Sequence, residues 1–381
     1  MKTILFLFLS SILINSLNCN FQSKLFNKMN KDKTGENLII SPLSIFQALS
    51  LAANGAKEET LSEMLDLLES DSLKELNKIN LEIISTIQNF KTLDIANAVM
   101  TRFTPLESFS EISEQYLAPV ETLKSLEQVN SWCSNKTHGK IPKILDDLSE
   151  ETLVMILNAV YFKGEWRLPF EGEATTKLPF YNFGKDLEEV DTMRQIENFL
   201  YYEDKNVQAI QLRFLEDFMS AIIILPAEGT DINKYINTLS TTKEYNKIIE
   251  GFDYAKVDLQ LPKFEVTFSE ILNGILADLG MYNAFDSKSA DFSGLREGGG
   301  LFISKVIHKT YLKVNEDGTE AAAVTAIGMD GALPPGEREE KIYEMKVNRP
   351  FLFLLKNLKL PEGFDLVFMS KIEKVEEIKK D

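Results

Sequence analysis

The chain has 381 residues, 44% of them hydrophobic and 26% charged, and carries a net charge of −17 with histidine neutral. That length is ample for a sizeable core, in one large domain or two ordinary ones. The acidic balance argues against a nucleic acid or an anionic membrane as partner, since both select a basic face, and no run of Lys and Arg offers a site for heparin.

Met1–Asn20 reads as a secretory signal. Lys2 is the positive n-region, Thr3–Ile14 the short apolar h-region and Ser16–Asn20 the cleavage zone. The apolar run is too short to span a bilayer comfortably, so a secreted, extracellular protein is expected, with residues 1–19 removed. Cys19 and Cys133 are the only cysteines, which leaves the mature chain a single thiol and no internal disulfide. Asn135-Lys136-Thr137 is the one glycosylation sequon.

Phe21, Leu25, Phe26 and Met29 share one helix face. Leu38–Ile40 is a brief strand, and Ser41-Pro42 opens a helix with Ser41 as N-cap, ended by Gly55. Thr60 is expected to cap the next helix, helped by Glu63. Ser72–Phe90 reads as helix, Thr92–Met100 as strand, and Leu106–Leu123 as a helix with a short strand. Gln128–Ile141 is an amphipathic helix ending near Gly139. Thr152–Phe162 is too continuously apolar for a surface strand and belongs at the centre of a sheet.

Phe180–Tyr202 carries short strands, and Phe218–Leu225, stopped by Pro226, is another buried one. Val257–Phe268 alternates with period two around Pro262. Ser269–Leu279 reads as a helix from a Ser269 cap to Gly280. Asp286–Gly300 is a polar, Gly-rich loop, Leu301–Val314 a strand, and Lys341–Val347, Pro350–Lys356 and Phe364–Ile372 close the chain as strands. Neither a repeat nor a composition shift divides it, so one mixed helix-and-sheet domain is expected.

Val314–Leu333 is of another kind. Thr319, Ala321, Ala323, Thr325 and Ile327 share one face of an extended chain, all small or β-branched, and Pro334–Pro335–Gly336 ends the pattern. Gly318 before the run and Gly328 and Gly331 after it oppose a stable helix. Such a segment suits a loop able to slide between two existing strands. An enzyme is a poor fit: His138 and His308 are the only histidines, no G-x-S-x-G elbow occurs, and no Cys/His spacing suggests a metal.

Several segments, in order, resemble signatures of the serpin family. Asn37–Gly55 is similar to its N-x-x-x-S-P-x-S-I helix, and Asn158–Phe170 (NAVYFKGEWRLPF) to its N-x-x-x-F-K-G-x-W-x-x-x-F strand. Leu261–Lys263, Ala290–Leu295, Ser304–Ala326 and Asn348–Phe353 match further signatures. The resemblance implies an α+β fold with three β-sheets, about nine helices and an exposed reactive loop, about residues 316–347, above a five-stranded central sheet. It implies a monomeric serine protease inhibitor that needs no cofactor. The protease would cleave a bait bond, become acylated, and be trapped as the cut loop inserts into the sheet. The alternative is a non-inhibitory member acting as carrier or chaperone.

The resemblance further implies a hinge of Glu316, Gly318, Thr319, Glu320, Ala321, Ala322 and Ala323. A polar cluster of Ser41, Ser44, Asn158 and His308 would lie under the opening of the sheet, structural and not catalytic. Lys263 would pair with Glu316, and Trp166 would pack nearby. Counting from the hinge puts the bait bond at Ala332–Leu333, which suits an elastase-like protease. Arg338–Glu339, in a stretch longer than usual before Asn348, would instead bait a trypsin-like one, but Pro334 and Pro335 would then fall in or beside the inserted strand.

Overall fold

The computed structural model describes residues 21–88, 90, 92–241, 243–319 and 341–376. The signal segment, hinge residues Glu320–Ala323 and both bait candidates, Ala332–Leu333 and Arg338–Glu339, lie outside the described residues.

Nine α-helices occur among the described residues. The first five are α1 (Phe21–Asp32), α2 (Pro42–Ala53), α3 (Glu58–Leu67), α4 (Leu73–Ile87) and α5 (Glu107–Gln115). Then come α6 (Leu126–Lys136), α7 (Ile232–Thr241), α8 (Glu244–Glu250) and α9 (Asn273–Asp278). A five-stranded sheet runs, edge to edge, β11 (Phe264–Ile271), β12 (Lys305–Val314), β4 (Val154–Phe162), β2 (Leu93–Thr101), β3 (Glu121–Thr122).

A nine-stranded sheet starts with β1 (Leu38–Ile40), β16 (Leu366–Ile372), β15 (Phe351–Asn357), β9 (Met219–Pro226) and β8 (Val207–Arg213). It continues through β7 (Asp186–Glu203), which also pairs β6 (Thr176–Asn182), to β10 (Asp253–Pro262) and β14 (Ile342–Lys346). The third sheet is the short pair β5 (Gly164–Glu165) and β13 (Gly318–Thr319).

β4 is central because every one of its nine residues is buried. Its alternation divides the core. Val154, Ile156, Val160 and Phe162 join the main core with α2, whereas Met155, Leu157, Ala159 and Tyr161 join a second cluster with Trp132 and Cys133 of α6. β12 follows the same rule, with Val306, Leu312 and Val314 on the α2 side and Ile307 and Tyr311 on the α6 side. Asn158, His308 and Thr310 therefore point toward α2 by strand parity alone. That helix is buried along its whole length, and its Ser41 cap accepts from the Ser44 amide as expected, with Pro42 in the first turn.

Four expectations need correction. Thr60 does not cap α3: the N-cap position is Lys57, without a side-chain bond, and Thr60 accepts from the Asp291 amide while Glu63 accepts from Asn283. The cap-like residues instead tie the helix to the 283–291 loop. Ser269 lies inside β11, and the helix there is the shorter α9, preceded by Leu272. The alternating Val257–Phe268 run is two strands in different sheets. β10 stops at Pro262, which lacks an amide donor, and β11 starts after the single residue Lys263. Finally, Phe180–Tyr202 is not a set of short strands: β7 is 18 residues long and joins both halves of the nine-stranded sheet.

Because β4 is packed on both faces, Ile156→Ala should cost about 2–5 kcal/mol. A urea unfolding midpoint close to wild type would show that the site collapses instead.

Candidate functional site

β4 and β12 lie side by side and run parallel, with Asn158 directly opposite His308; on the other flank Asn158 is opposite Asn97 of β2. Register thus sets three polar side chains in one row beneath α2. The Nδ1–H of His308 donates to Oδ1 of Asn158, and Nε2 accepts the Ser41 amide at 3.1 Å. The Asn158 amide nitrogen donates to the Ser44 hydroxyl and, at 2.5 Å, to Oδ1 of Asn97. Ser41, Ser44, Asn158 and His308 therefore meet in one network, spanning the N-terminus of α2 and three strands.

Asn97 is a member that sequence reading missed. Its one signal in the sequence was a polar residue in mid-strand; the register that sets it opposite Asn158 comes from the sheet. His308 is fully buried, and burial pushes its pKa down to about 3. The neutral tautomer suits its partners, because an imidazolium would turn an N–H toward the Ser41 N–H. Both ring nitrogens are thus engaged within the buried network.

The second constellation sits at the C-terminal ends of the same two strands. β12 runs to Val314, and the chain turns through 315–318 so that Thr319 pairs with Gly164, two residues beyond β4. The Gly164 amide donates to the Thr319 hydroxyl at 2.7 Å, and Thr319 is fully buried. Gly318 has φ of +144°, and a Cβ there would stand 2.0 Å from the Gly164 carbonyl oxygen, so only glycine fits. The Trp166 indole N–H donates to the Asn315 carbonyl at 3.0 Å, its backbone amide donates to Asp317, and its ring stacks on Phe214 at 4.4 Å.

Glu316 faces Lys263 at 2.9 Å and accepts from the Thr175 hydroxyl at 2.8 Å. Burial pushes the Glu316 pKa up, but hydrogen bonds from Lys263, the backbone and Thr175 outweigh it and hold it below the ordinary carboxylate value. Lys263 is the one residue between β10 and β11, so this pair ties the turn to the junction of two sheets. Phe170 adds a backbone bond to the Glu316 carbonyl. The expected Glu316, Gly318, Thr319, Trp166 and Lys263 therefore lie together; Gly164, a member of the Asn158–Phe170 motif, joins them, and Thr175 is an addition that no local sequence signal marks.

Asn135 is exposed on the last turn of α6, whereas the sequon's Thr137 is buried and its hydroxyl bonds Cys133. Cys133 is buried and free, and burial pushes its thiol up to about 12, which makes it inert. Among the described residues no acidic, His or Cys cluster could hold a metal, and no helix is long and apolar enough to cross a membrane.

A sequence model of the family described as "Serpin (serine protease inhibitor)" matches residues 16–372. The chain belongs to the serpin family. It is 35% identical to the leukocyte elastase inhibitor of Xenopus laevis over 365 residues, which covers 90% of this serpin and 95% of that protein. Its fold is similar to that of the thermophilic serpin tengpin in the native state, with a TM-score of 0.83 at 31% identity, over 94% of this chain and 93% of that one. Human thyroxine-binding globulin in complex with its hormone matches with a TM-score of 0.82 at 26% identity, over 94% of this chain and 98% of that one. The α+β serpin architecture read from the sequence is thus the observed one, and the protein is an inhibitor rather than an enzyme.

Two outcomes test this site. Since His308 binds its proton more weakly folded than unfolded, its contribution to stability is complete above about pH 6.5 and is lost as pH falls toward 3. Urea midpoints between pH 7.5 and 4 should fall with a slope that includes up to about 1.4 kcal/mol per pH unit from this one group; substitution by Asn should remove that part of the slope. Separately, Gly318→Ala should break the pairing of β13 with β5, seen as faster hydrogen exchange at the Gly164 amide.

Proposed function

We propose that this serpin inhibits an extracellular, elastase-like serine protease as a suicide substrate. One domain over residues 20–381 would present a reactive loop at about 316–347. The observation that carries the reading is the parallel β4–β12 seam with a turn to Thr319 poised over its end. A segment that reverses at Gly318 and enters between them would run antiparallel to both neighbours. One parallel pairing would then be exchanged for two antiparallel ones, which are slightly more stable per residue. The gain in hydrogen bonds and burial would drive the insertion.

The chemistry follows from the timing. A protease acylated on the loop is normally freed by water, which needs an ordered triad and oxyanion hole. Carrying the acyl-enzyme along the sheet as the strand inserts would deform both and leave the ester intact, so insertion must outrun hydrolysis. Thr319, Ala321, Ala323 and Thr325 are small enough to enter a packed sheet quickly. Fold similarity alone does not exclude a carrier, since thyroxine-binding globulin matches with a TM-score of 0.82. The size of the hinge residues supports the inhibitor.

For the bait bond, spacing from the hinge favours Ala332–Leu333, and the name of the Xenopus relative agrees with a small specificity pocket in the target. Arg338–Glu339 is the second reading, for a trypsin-like target. Export is supported by Met1–Asn20, and glycosylation by the exposure of Asn135.

Mixing the protein with a neutrophil-type elastase should give an adduct that survives SDS, and mass spectrometry should find a released C-terminal fragment beginning at Leu333. Thr319→Arg should turn the inhibitor into a substrate, cleaved at the same bond without an adduct. Clean digestion of the wild-type loop, with no adduct and no rise in melting temperature, would instead mark a non-inhibitory carrier.

A further inference from the structure

Beside the hinge lies a cleft of about 270 Å³ between the segment after β5, the strands β7 and β8, and Tyr254 of β10. Trp166, Leu168, Leu212 and Tyr254 give it apolar surface, Leu168 and Tyr254 being 45% and 64% exposed, while Gln195, Asn198 and Gln211 add neutral polar groups. Two arginines, Arg167 and Arg213, also line it, and no Asp or Glu does. Arg167 pairs at the rim with Asp217, whereas the Arg213 side chain makes no hydrogen bond or ion pair among the described residues. In a chain with net charge −17, a guanidinium without a partner among the described residues, beside apolar surface and with no carboxylate in the lining, is a local reversal of the general charge. Such a combination selects a ligand with one apolar body and one anionic end.

We propose that this cleft binds a small amphiphilic carboxylate, a single ring or short chain carrying one carboxyl group, and that its occupation braces the hinge. The apolar body packs on Leu168 and Leu212 and against the Trp166 ring, and the carboxylate accepts from Arg213. Trp166 is the link. Its indole N–H holds the Asn315 carbonyl and its amide holds Asp317, in the turn that delivers Thr319 to Gly164. For the loop to enter the sheet, β13 must leave β5, and a ligand that fixes Trp166 opposes that step. Occupation therefore slows insertion and shifts acylated protease toward release. This last consequence rests on the inhibitory reading above; the binding and the bracing do not.

The probe is 3-phenylpropanoate, with the neutral 3-phenyl-1-propanol as control at matched ionic strength. In Trp132→Phe the only tryptophan is Trp166, and its emission should change saturably with the acid. Should that variant not fold, calorimetry on the wild-type protein reads the same binding. Arg213→Gln should weaken the acid about fivefold, the worth of one charge-assisted hydrogen bond at a half-open site, and leave the melting temperature unchanged. Saturating acid should slow hydrogen exchange at the Gly164 amide and increase the inhibitor consumed per protease trapped. Equal binding of acid and alcohol, or unchanged affinity in Arg213→Gln, would overturn the carboxylate site. Saturable binding with unaltered exchange at Gly164 would overturn the brace. Binding and exchange are read without any protease, so neither failure is confused with failure of the inhibitory reading.

Discussion

The hydrogen bond from His308 to Asn158 crosses the seam between β12 and β4, and the rest of the molecule is arranged around that seam. Along the rest of β4, packing on both faces makes the sheet hard to part. At this row the contact is polar and specific. It is locked from above by the N-terminus of α2 through Ser41 and Ser44 and from the side by Asn97. A polar lock differs from an apolar one in being all or none: shifting one member leaves the others buried and unsatisfied, which costs about 1–3 kcal/mol for each group. The seam is therefore closed firmly but by few groups, the arrangement wanted in a sheet that must open once.

The hinge answers the same requirement from the other side. Glu316, Lys263, Thr175 and Trp166 hold the turn at 315–318 by one ion pair and hydrogen bonds, each of which can be exchanged for another without tearing the core. The missing Cβ of Gly318 lets β13 approach the Gly164 carbonyl, and the hydrogen bond from the Gly164 amide to the Thr319 hydroxyl holds it against β5. The two constellations sit at different heights on the same pair of strands.

Much of the fold was legible because its signals were local. The uninterrupted apolar run of β4 demanded a central position. The Ser41-Pro42 pair announced the start of α2. The misreadings were local signals with a tertiary competitor. Thr60 and Glu63 have the spacing of a capping box, but the 283–291 loop offers them backbone and side-chain partners that win. Ser269 resembles a cap, yet β12 supplies a ladder that draws it into β11. At Lys263 the alternation continues across a change of sheet, because period two reports which face is buried and not which sheet buries it.

The sequence by itself determined the strand parities, the small residues after Gly318 and the polar residues at Asn158, His308 and Glu316, since composition and period act within a few residues of the chain. It did not determine who meets whom. Only tertiary structure decided that Asn97 completes the row, that Thr175 joins Glu316, and that Arg213, without a partner among the described residues, borders a cleft with no carboxylate in its lining. These partners are brought together by strand order and register across sheets, and register is settled by the packing of whole faces rather than by any short stretch of sequence.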